Sequence, residues 1–330
     1  MYTLEKAIKN TIILGSSNNF NESIHICYGI DNNFVRGSIT SIASIIKNNP
    51  NKHFSFHIII ISNLTNYSKS MFEILAKQYS LNIYIYEIDI NIIAKIVNLG
   101  RFQISLYYRF IFPLILKDTT NKCIYIDADI VCLNNADELF NIYLNNNIIA
   151  AIPDTINTNK ERFLDKKLSI LNPSTHQYFN AGLLAINIPY WNKLNISENA
   201  INMLNSENFQ CKDQDVLNIL CTNQIKYLPK EYNCINLSEI KNIKNVVFLH
   251  LTISPKPWFL AYQISPYFDK IKYDYYMTYE KFTPYKDIPL QEPKTYKELE
   301  HYSKMLRKAG YPLQSIKYYF KYLITKVLKK

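Results

Sequence analysis

Along the first half of the chain, short apolar runs alternate with stretches whose apolar residues recur at helical spacing. Ile24-His25-Ile26-Cys27-Tyr28-Gly29 has the length and composition of a strand, and a polar turn from Ile30 to Phe34 follows it. Residues 38–46 then carry a helical pattern. Residues 54–62 form a second strand, wholly apolar over Ile58-Ile59-Ile60-Ile61, as expected of a central parallel strand covered on both faces. Met71, Ile74, Leu75 and Gln78 share one face of a helix over 68–79, and 81–88 is a third strand. This β-α-β-α-β order predicts half of an open nucleotide-binding sheet. Residues 105–116 read as a helix bearing Arg109. It leads into Lys122-Cys123-Ile124-Tyr125-Ile126, a buried strand that stops at Asp127.

The second half continues the pattern less regularly. A short helix is expected over 137–143, a strand over 148–152 ending at Pro153-Asp154, and an insert over 160–171. Residues 177–187 form a strand whose Gly182 permits a close backbone approach. Helices are expected over 191–204 and 214–221. A last core strand over 246–250 opens into a loop stiffened by Pro255 and Pro257. From about Pro266 the composition shifts to Tyr, Lys and Pro, and 284–293 reads as a linker. Thr295 with Glu298 is a capping box, and Gly310 and Pro312 stop the helix it starts. In the final helix Ile316, Tyr319, Phe320, Leu323, Ile324 and Val327 make an apolar stripe, with Lys317, Tyr318, Lys321 and Tyr322 on the other side. The expected division is a catalytic domain over 1–265 and a small helical domain over 266–330.

Composition narrows the function. With 6 glycines there is no Gly-rich phosphate loop, which excludes P-loop kinases and nicotinamide-dependent enzymes. Residues 1–9 carry charges of both signs and do not resemble a signal peptide. No stretch approaches the ~20 apolar residues of a membrane span. The expected compartment is the cytosol, and the six cysteines read as reduced core thiols. The net charge of +10 resides in the tail: residues 301–330 hold eight Lys and Arg and no Asp or Glu, leaving the rest at +2. A basic amphipathic tail suits an anionic membrane surface. The same helix could instead dock on its own domain with a solvated basic face. A nucleic-acid partner is not expected, because the core carries no charge excess.

The candidate chemistry starts at Asp127 and Asp129. Residues two apart on an extended chain point the same way, so both carboxylates reach one point beyond the strand's end. In open α/β sheets that is where ligands bind. Paired carboxylates repel unless a cation lies between them, and a hard divalent ion, Mg²⁺ or Mn²⁺, is the simplest occupant. A strand followed by a solvated acidic turn has the same pattern. Tyr28 to Asn33, Asn180 to Gly182 and His250 to Lys256 also lie at strand ends, and Asp213-Gln214-Asp215 opens a helix. His250 is a fair third ligand and Lys256 a point charge for a diphosphate.

Taken in order, Tyr-Gly-Ile-Asp-Asn-Asn-Phe, Tyr-Ile-Asp-Ala-Asp, Tyr-Phe-Asn-Ala-Gly-Leu-Leu, Asp-Gln-Asp-Val-Leu-Asn and His-x5-Lys-Pro-Trp strongly resemble family 8 glycosyltransferases. The likeness is greatest to the bacterial lipopolysaccharide core glucosyl- and galactosyltransferases, and it covers about residues 24–260 and 275–330. It implies a GT-A fold, a Mn²⁺ or Mg²⁺ ion, and a UDP-glucose or UDP-galactose donor used with retention of configuration. It implies Asp127, Asp129 and His250 as metal ligands. It places Tyr28, Asp31 and Asn33 at uracil and ribose, and Lys256 at the diphosphate. Arg109, Asp154, Asn180 with Ala181 and Gly182, Asp213 and Gln214 would hold the donor sugar. One position departs from the pattern: the usual Gly three residues after the His is Ile253, which narrows the backbone's approach to a diphosphate. The implied acceptor is the lipopolysaccharide core, and the implied location is the cytoplasmic face of the inner membrane. Transfer to capsule or protein glycans, or sugar-nucleotide binding without catalysis, are the alternatives.

Overall fold

The structure, a computed structural model, describes residues 4–15, 23–61, 64–96, 107–162 and 177–328. The chain divides into two compact units, Met1–His250 and Leu251–Lys330. Of the sequence expectations, residues 62, 105–106 and 163–171 and the last two lysines lie outside the described residues.

The first unit is built on β1 (Ile8–Leu14), β2 (Ile24–Ile30), β3 (Phe54–Ile61), β4 (Asn82–Ile88), β5 (Lys122–Ile126), β6 (Ile130–Cys132), β7 (Ile149–Pro153), β8 (Phe179–Asn187), β9 (Ile225–Tyr227) and β10 (Phe248–His250). The main sheet has the order β1-β4-β3-β2-β5-β8-β7-β9. Strands β2, β3 and β4 are parallel with intervening helices Val35–Asn48 and Asn66–Tyr79, as the alternation predicts. The chain then returns to the other side of β2, where β5 pairs in parallel through Ile26↔Ile124 and Cys27↔Tyr125. That reversal makes a topological switch point, with the ends of β2 and β5 side by side. Strand β8 runs antiparallel to both β5 and β7, so its beginning lies at the same edge as their ends.

Several differences from the sequence reading have identifiable causes. Strand β1, at the edge and antiparallel to β4, is not expected from its mixed polar and apolar residues. Its largely open burial pattern explains why no clean period marks it. The single helix expected over 191–204 is two, Ile188–Lys193 and Ile196–Ser206, because Asn195 adopts a left-handed conformation (φ 50°). The last core strand does not join the main sheet. Instead β10 pairs with β6 in a two-stranded ribbon, with His250 opposite Ile130.

The helix Tyr108–Ile115 packs against the sheet through Tyr108 and Phe112, while Phe110 faces Trp191; all three are buried. Trp191, fully buried, donates its indole N–H to Ser197 Oγ at 2.9 Å, and that hydroxyl donates to the Phe110 carbonyl at 2.6 Å. At Gly29 on β2 a Cβ would lie 2.5 Å from Tyr108, so the strand meets this helix at glycine distance. Arg109 is thereby fixed over the switch point. Five of the six cysteines are buried, and no disulfide occurs among the described residues.

In the second unit, helices Lys270–Glu280, Tyr296–Lys308 and Pro312–Leu328 dominate. The first is not foreseen from the sequence: its Tyr- and Lys-rich run has little amphipathic pattern, yet Asp269 caps it by accepting the Lys272 N–H at 3.1 Å. The supposed linker is also anchored, since Gln291 N–H donates to the Trp258 carbonyl at 2.8 Å and Tyr285 is buried. The capping box at Thr295 and Glu298 forms as expected. Gly310 turns the chain with φ 85° between the last two helices. Their contact is made by Leu299, Tyr302, Leu306, Tyr318 and Tyr322, with Tyr302 edge-on to Tyr318 at 4.7 Å. The apolar stripe of the final helix faces away from that contact: Ile316 is 53% exposed, Phe320 59%, Ile324 60% and Val327 71%. Among the described residues no helix is long and apolar enough to cross a membrane.

Candidate active site

Three strand ends bring the acidic pair, the Asn-Ala-Gly segment and the histidine together. Asp127 N–H donates to the Gly182 carbonyl at 2.8 Å, extending the β5–β8 pairing by one step. The chain then turns through Ala128 and Asp129 into β6, and the β6–β10 register carries His250 to the same point. His250 Nε2 lies 3.3 Å from Asp129 Oδ1 and 4.0 Å from Asp127 Oδ2. One ligand atom from each of the three lies within 4.8 Å of the others. Asp129 and His250 are buried and Asp127 is half-buried. Gly182 forms the floor, where a Cβ would come 2.4 Å from His250 Cε1 and 2.9 Å from Asp127 Oδ2.

The electrostatics favour a cation here. Burial drives the Asp127 carboxyl above its ordinary range; Arg109 and His250 pull it back, and Asp129 pushes it further. Two carboxylates and an imidazole are a donor set that Mn²⁺ or Mg²⁺ accepts, and the atoms are spaced closely enough to share one ion. The residues present therefore fit a divalent metal.

Arg109 spans the cluster. Its Nη1 donates to the Ala181 carbonyl at 2.7 Å, Nη2 lies 3.5 Å from Asp127 Oδ1, and Nε lies 3.0 Å from Asp213 Oδ2 without hydrogen-bond alignment. Burial opposes its charge, but Asp213, Tyr125 and Asp127 outweigh that and raise its pKa. Asp213 is raised by burial and by Asp127, against the pull of Arg109. Tyr125, two residues before Asp127 on the same side of the strand, donates its hydroxyl to Asp127 Oδ1 at 2.8 Å. Its ring lies under the guanidinium at 4.7 Å.

Beside the carboxylates runs a line of amides. Gln214 Nε2 donates to Asp154 Oδ2 at 3.0 Å, and Gln214 Oε1 accepts from Ala181 N–H at 3.0 Å and Asn180 Nδ2 at 3.2 Å. Asp154 Oδ1 accepts the Thr155 N–H at 2.7 Å. Asp215, next to Gln214, instead takes a buried structural role, clamping Arg162 and the Tyr178 hydroxyl.

The remaining sequence candidates occupy other positions. Tyr28 is wholly covered, its hydroxyl 2.9 Å from Ser41 Oγ, and burial raises its pKa. Asp31 accepts the N–H groups of Asn33 and Phe34 at 2.7 and 3.2 Å and starts the helix Val35–Asn48; both Asp31 and Asn33 are exposed at the end of β2. Lys256 lies in the second unit, where its Nζ donates to the Leu251 and Thr252 carbonyls, each at 2.8 Å. Ile253 is exposed.

Residues 25–261 match the model of the family described as Glycosyl transferase family 8, and residues 273–326 match that of its C-terminal region. The chain belongs to glycosyl transferase family 8. It is 32% identical to the lipopolysaccharide 1,3-galactosyltransferase of Salmonella typhimurium, over 93% of each chain. Identity to an Escherichia coli lipopolysaccharide 1,2-glucosyltransferase is 29%, covering 86% of this chain and 85% of that one. Among solved structures, galactosyltransferase LgtC superposes with a TM-score of 0.65 at 18% identity, covering 79% of this chain and 96% of LgtC. The bifunctional glycosyltransferase WbbM gives 0.67 at 20% identity over 82% of this chain, which spans about half of WbbM. The fold is GT-A, and the family assigns glycosyltransferase activity.

Two site residues escape the sequence reading. Tyr125 carries a signal, since the i, i+2 rule along the strand places its side chain on the same side as Asp127. Asn233 carries almost none: it ends a short turn, Lys230–Asn233, yet its buried amide contacts both Asn180 and His250.

Proposed function

We propose that this family 8 enzyme transfers glucose or galactose from a UDP-sugar to the lipopolysaccharide core, with retention of configuration and a divalent cation, Mn²⁺ or Mg²⁺. The observation that carries the reading is the convergence of Asp127, Asp129 and His250 at the switch point, beside the Asp154–Gln214–Asn180 line. The lipopolysaccharide acceptor follows from the relatives, one of which is named a galactosyltransferase and the other a glucosyltransferase. When bound, the cation would supply Lewis-acid stabilisation of charge on the departing diphosphate.

The chain's own residues do the rest. Asp127, Asp129 and His250 hold the ion, and Tyr125 and Arg109 fix the orientation of Asp127. Asp154, Gln214, Asn180 and Asp213 hold the donor sugar and support positive charge at its anomeric carbon. Asp31 and Asn33, exposed at the end of β2, would face uracil and ribose, with Tyr28 buried behind them rather than touching the nucleotide, and the family likeness supports Lys256 at the diphosphate. Gln214 Oε1 already accepts two hydrogen bonds, which leaves a poor nucleophile. We therefore favour front-face transfer: the acceptor hydroxyl bonds to the anomeric carbon as the carbon–oxygen bond to UDP breaks, and the departing phosphate takes the hydroxyl proton.

The C-terminal helix supplies the link to a lipid-embedded acceptor. Its exposed apolar stripe, flanked by Lys317, Lys321 and Lys326, suits the interface of an anionic membrane on the cytoplasmic side. A screen of UDP-sugars against lipid-linked core acceptors, with and without chelator, tests the proposal. Transfer from one UDP-hexose that stops in EDTA and resumes with Mn²⁺ is expected. Undiminished transfer in excess EDTA, or none from any UDP-sugar, would overturn it.

A further inference from the structure

The hydrogen-bond directions beside the acidic pair are fixed by backbone groups, and they lead to a residue with no assigned role. Gly182 N–H donates to Asn180 Oδ1 at 2.9 Å, so the Asn180 atom facing Gly182 must be the oxygen. Its nitrogen then faces Asp154 and Gln214, both of which present acceptors. The same Asn180 oxygen lies 2.9 Å from Asn233, so the Asn233 atom facing it must be the donor, Nδ2. That turns Asn233 Oδ1 toward His250 Nδ1, 3.0 Å away. An amide oxygen only accepts, so Nδ1 must carry the proton. Whenever the ring is neutral, Nε2, the nitrogen facing Asp129 and Asp127, is then its lone-pair atom. Asn233 and His250 are 3% and 4% exposed, so water does not compete for these bonds.

We propose that Asn233 is a positioning residue that selects the Nδ1–H tautomer of His250 and aims Nε2 at the shared point between Asp127 and Asp129. The proposal rests on the metal reading above and deepens it. Left to itself, a ring with Nδ1 unpartnered would be free to rotate or to carry its proton on Nε2, where the proton blocks a cation. Outer hydrogen bonds of this kind set ligand orientation, and their removal costs ~10–100-fold in metal affinity. The relay also has a far end. Because Asn180 bridges Asn233 to Asp154, the sugar-holding carboxylate and the metal-holding imidazole belong to one hydrogen-bonded line.

The test uses the full-length, metal-free protein labelled with ¹⁵N-histidine, with the His250 signals assigned by their loss in His250→Gln. Wild type should show the proton on Nδ1. Asn233→Ala should shift the ring to the Nε2–H form or a mixture and weaken binding of Mn²⁺ alone, by titration calorimetry, ~10–100-fold. Asn233→Asp keeps an acceptor for Nδ1–H while giving up the donor to Asn180 Oδ1, so it should retain the proton on Nδ1 and most of the Mn²⁺ affinity. A purely structural role would not produce that split between the two variants. A neutral wild-type ring with its proton on Nε2 and none on Nδ1 overturns the proposal, whether or not the alanine variant folds. So does an alanine variant with unchanged tautomer and affinity. Failure of the metal reading is distinct: wild type and His250→Gln would then bind Mn²⁺ equally poorly, while the tautomer result would stand.

Discussion

The Asp127–His250 corner and the C-terminal helical hairpin invert the usual distribution of residues in opposite ways. In the corner, charged and amide side chains are buried: Asp129, Asp154, Asp213, Arg109, Asn233 and His250 are all at most 8% exposed. In the hairpin, large apolar side chains are exposed along one helix face while tyrosines make the internal contact. Burying charge is costly unless it is paired, and exposing a continuous apolar stripe is unusual in a monomer. The corner offsets its cost with a dense network whose remaining imbalance is negative, which calls for a cation. The hairpin has no such internal compensation, and the compensation it needs is an apolar surface edged by negative charge. Each departure thus specifies the chemistry of what should complete it.

The sharpest way to break the corner's half of the comparison is to remove the negative imbalance. Asp129→Asn keeps the shape and deletes one charge. Turnover should fall at least ~100-fold, the scale for losing a group that stabilises developing charge, with the melting temperature held or raised because a like-charge repulsion is relieved. Chelation of the wild type should have a similar effect. Wild-type turnover in Asp129→Asn would show that the carboxylate is only a turn residue.

The hairpin's half is sharpened by a pair of substitutions on the same helix. Tyr318, buried against Tyr302, should cost ~2–4 kcal/mol of stability on change to alanine. Phe320, on the exposed face, should change stability by less than ~0.5 kcal/mol on change to serine. Binding to anionic vesicles should respond in the opposite order, falling for Phe320→Ser and persisting for Tyr318→Ala below its melting point. Equal loss of stability from both would mean that the stripe is covered in solution. A truncation near Pro289 is a poorer probe, because the hairpin also covers Leu260 and Ile264.

How much of this was legible follows from what each residue depends on. Asp127 and Gly182 were readable because the strand end and the close backbone approach fix where they go; Asp129 reaches the same point through the turn closed by Ile130 N–H on the Asp127 carbonyl at 3.1 Å, not through the extended spacing that pointed to it. The apolar stripe was readable by helical spacing, but not its outward direction: that required knowing that Ser303 and Ser315 exchange hydroxyl–carbonyl bonds at 3.0 and 2.8 Å, bringing the tyrosine face inward. Neither β1, with its unclean period, nor the helix Lys270–Glu280, held by a cap and ring contacts, follows from local pattern. Asn233 depends on a long-range bridge: its neighbour Cys234 pairs with Leu249 on β10, donating to the Phe248 carbonyl at 2.8 Å and accepting the His250 N–H at 2.9 Å.

A smaller effect is expected at Gly182, where the corner's tight packing can be tested without touching a charge. Gly182→Ala should cost ~1–3 kcal/mol by overpacking. The new methyl would stand 2.4 Å from His250 Cε1, so the ring must shift. Mn²⁺ affinity should drop with the fold preserved, as read by calorimetry and near-ultraviolet circular dichroism. Unchanged affinity would mean that the ligands have room the geometry does not show.

The smallest effect concerns Lys321, where the two regions' electrostatics differ most in kind. Its Nζ lies 3.3 Å from Glu292 Oε2, but both side chains are substantially exposed, at 43% and 56%. Such pairs contribute ~0–1 kcal/mol, and salt screens them further. Lys321 also sits 4.7 Å over the Tyr318 ring, so Lys321→Gln, which keeps most of the stem, is the cleaner substitution. Stability should change by no more than ~1 kcal/mol. Attraction to an anionic surface should weaken by ~1 kcal/mol, about fivefold in vesicle partitioning at low salt, and the difference should shrink as salt rises. Charge acting in solvent behaves this way, whereas charge acting in the buried corner is screened far less. If Lys321→Gln partitioned like the wild type at every salt concentration while Phe320→Ser lost binding, the surface would be recognised by its apolar stripe alone, and the basic flank would serve only solubility.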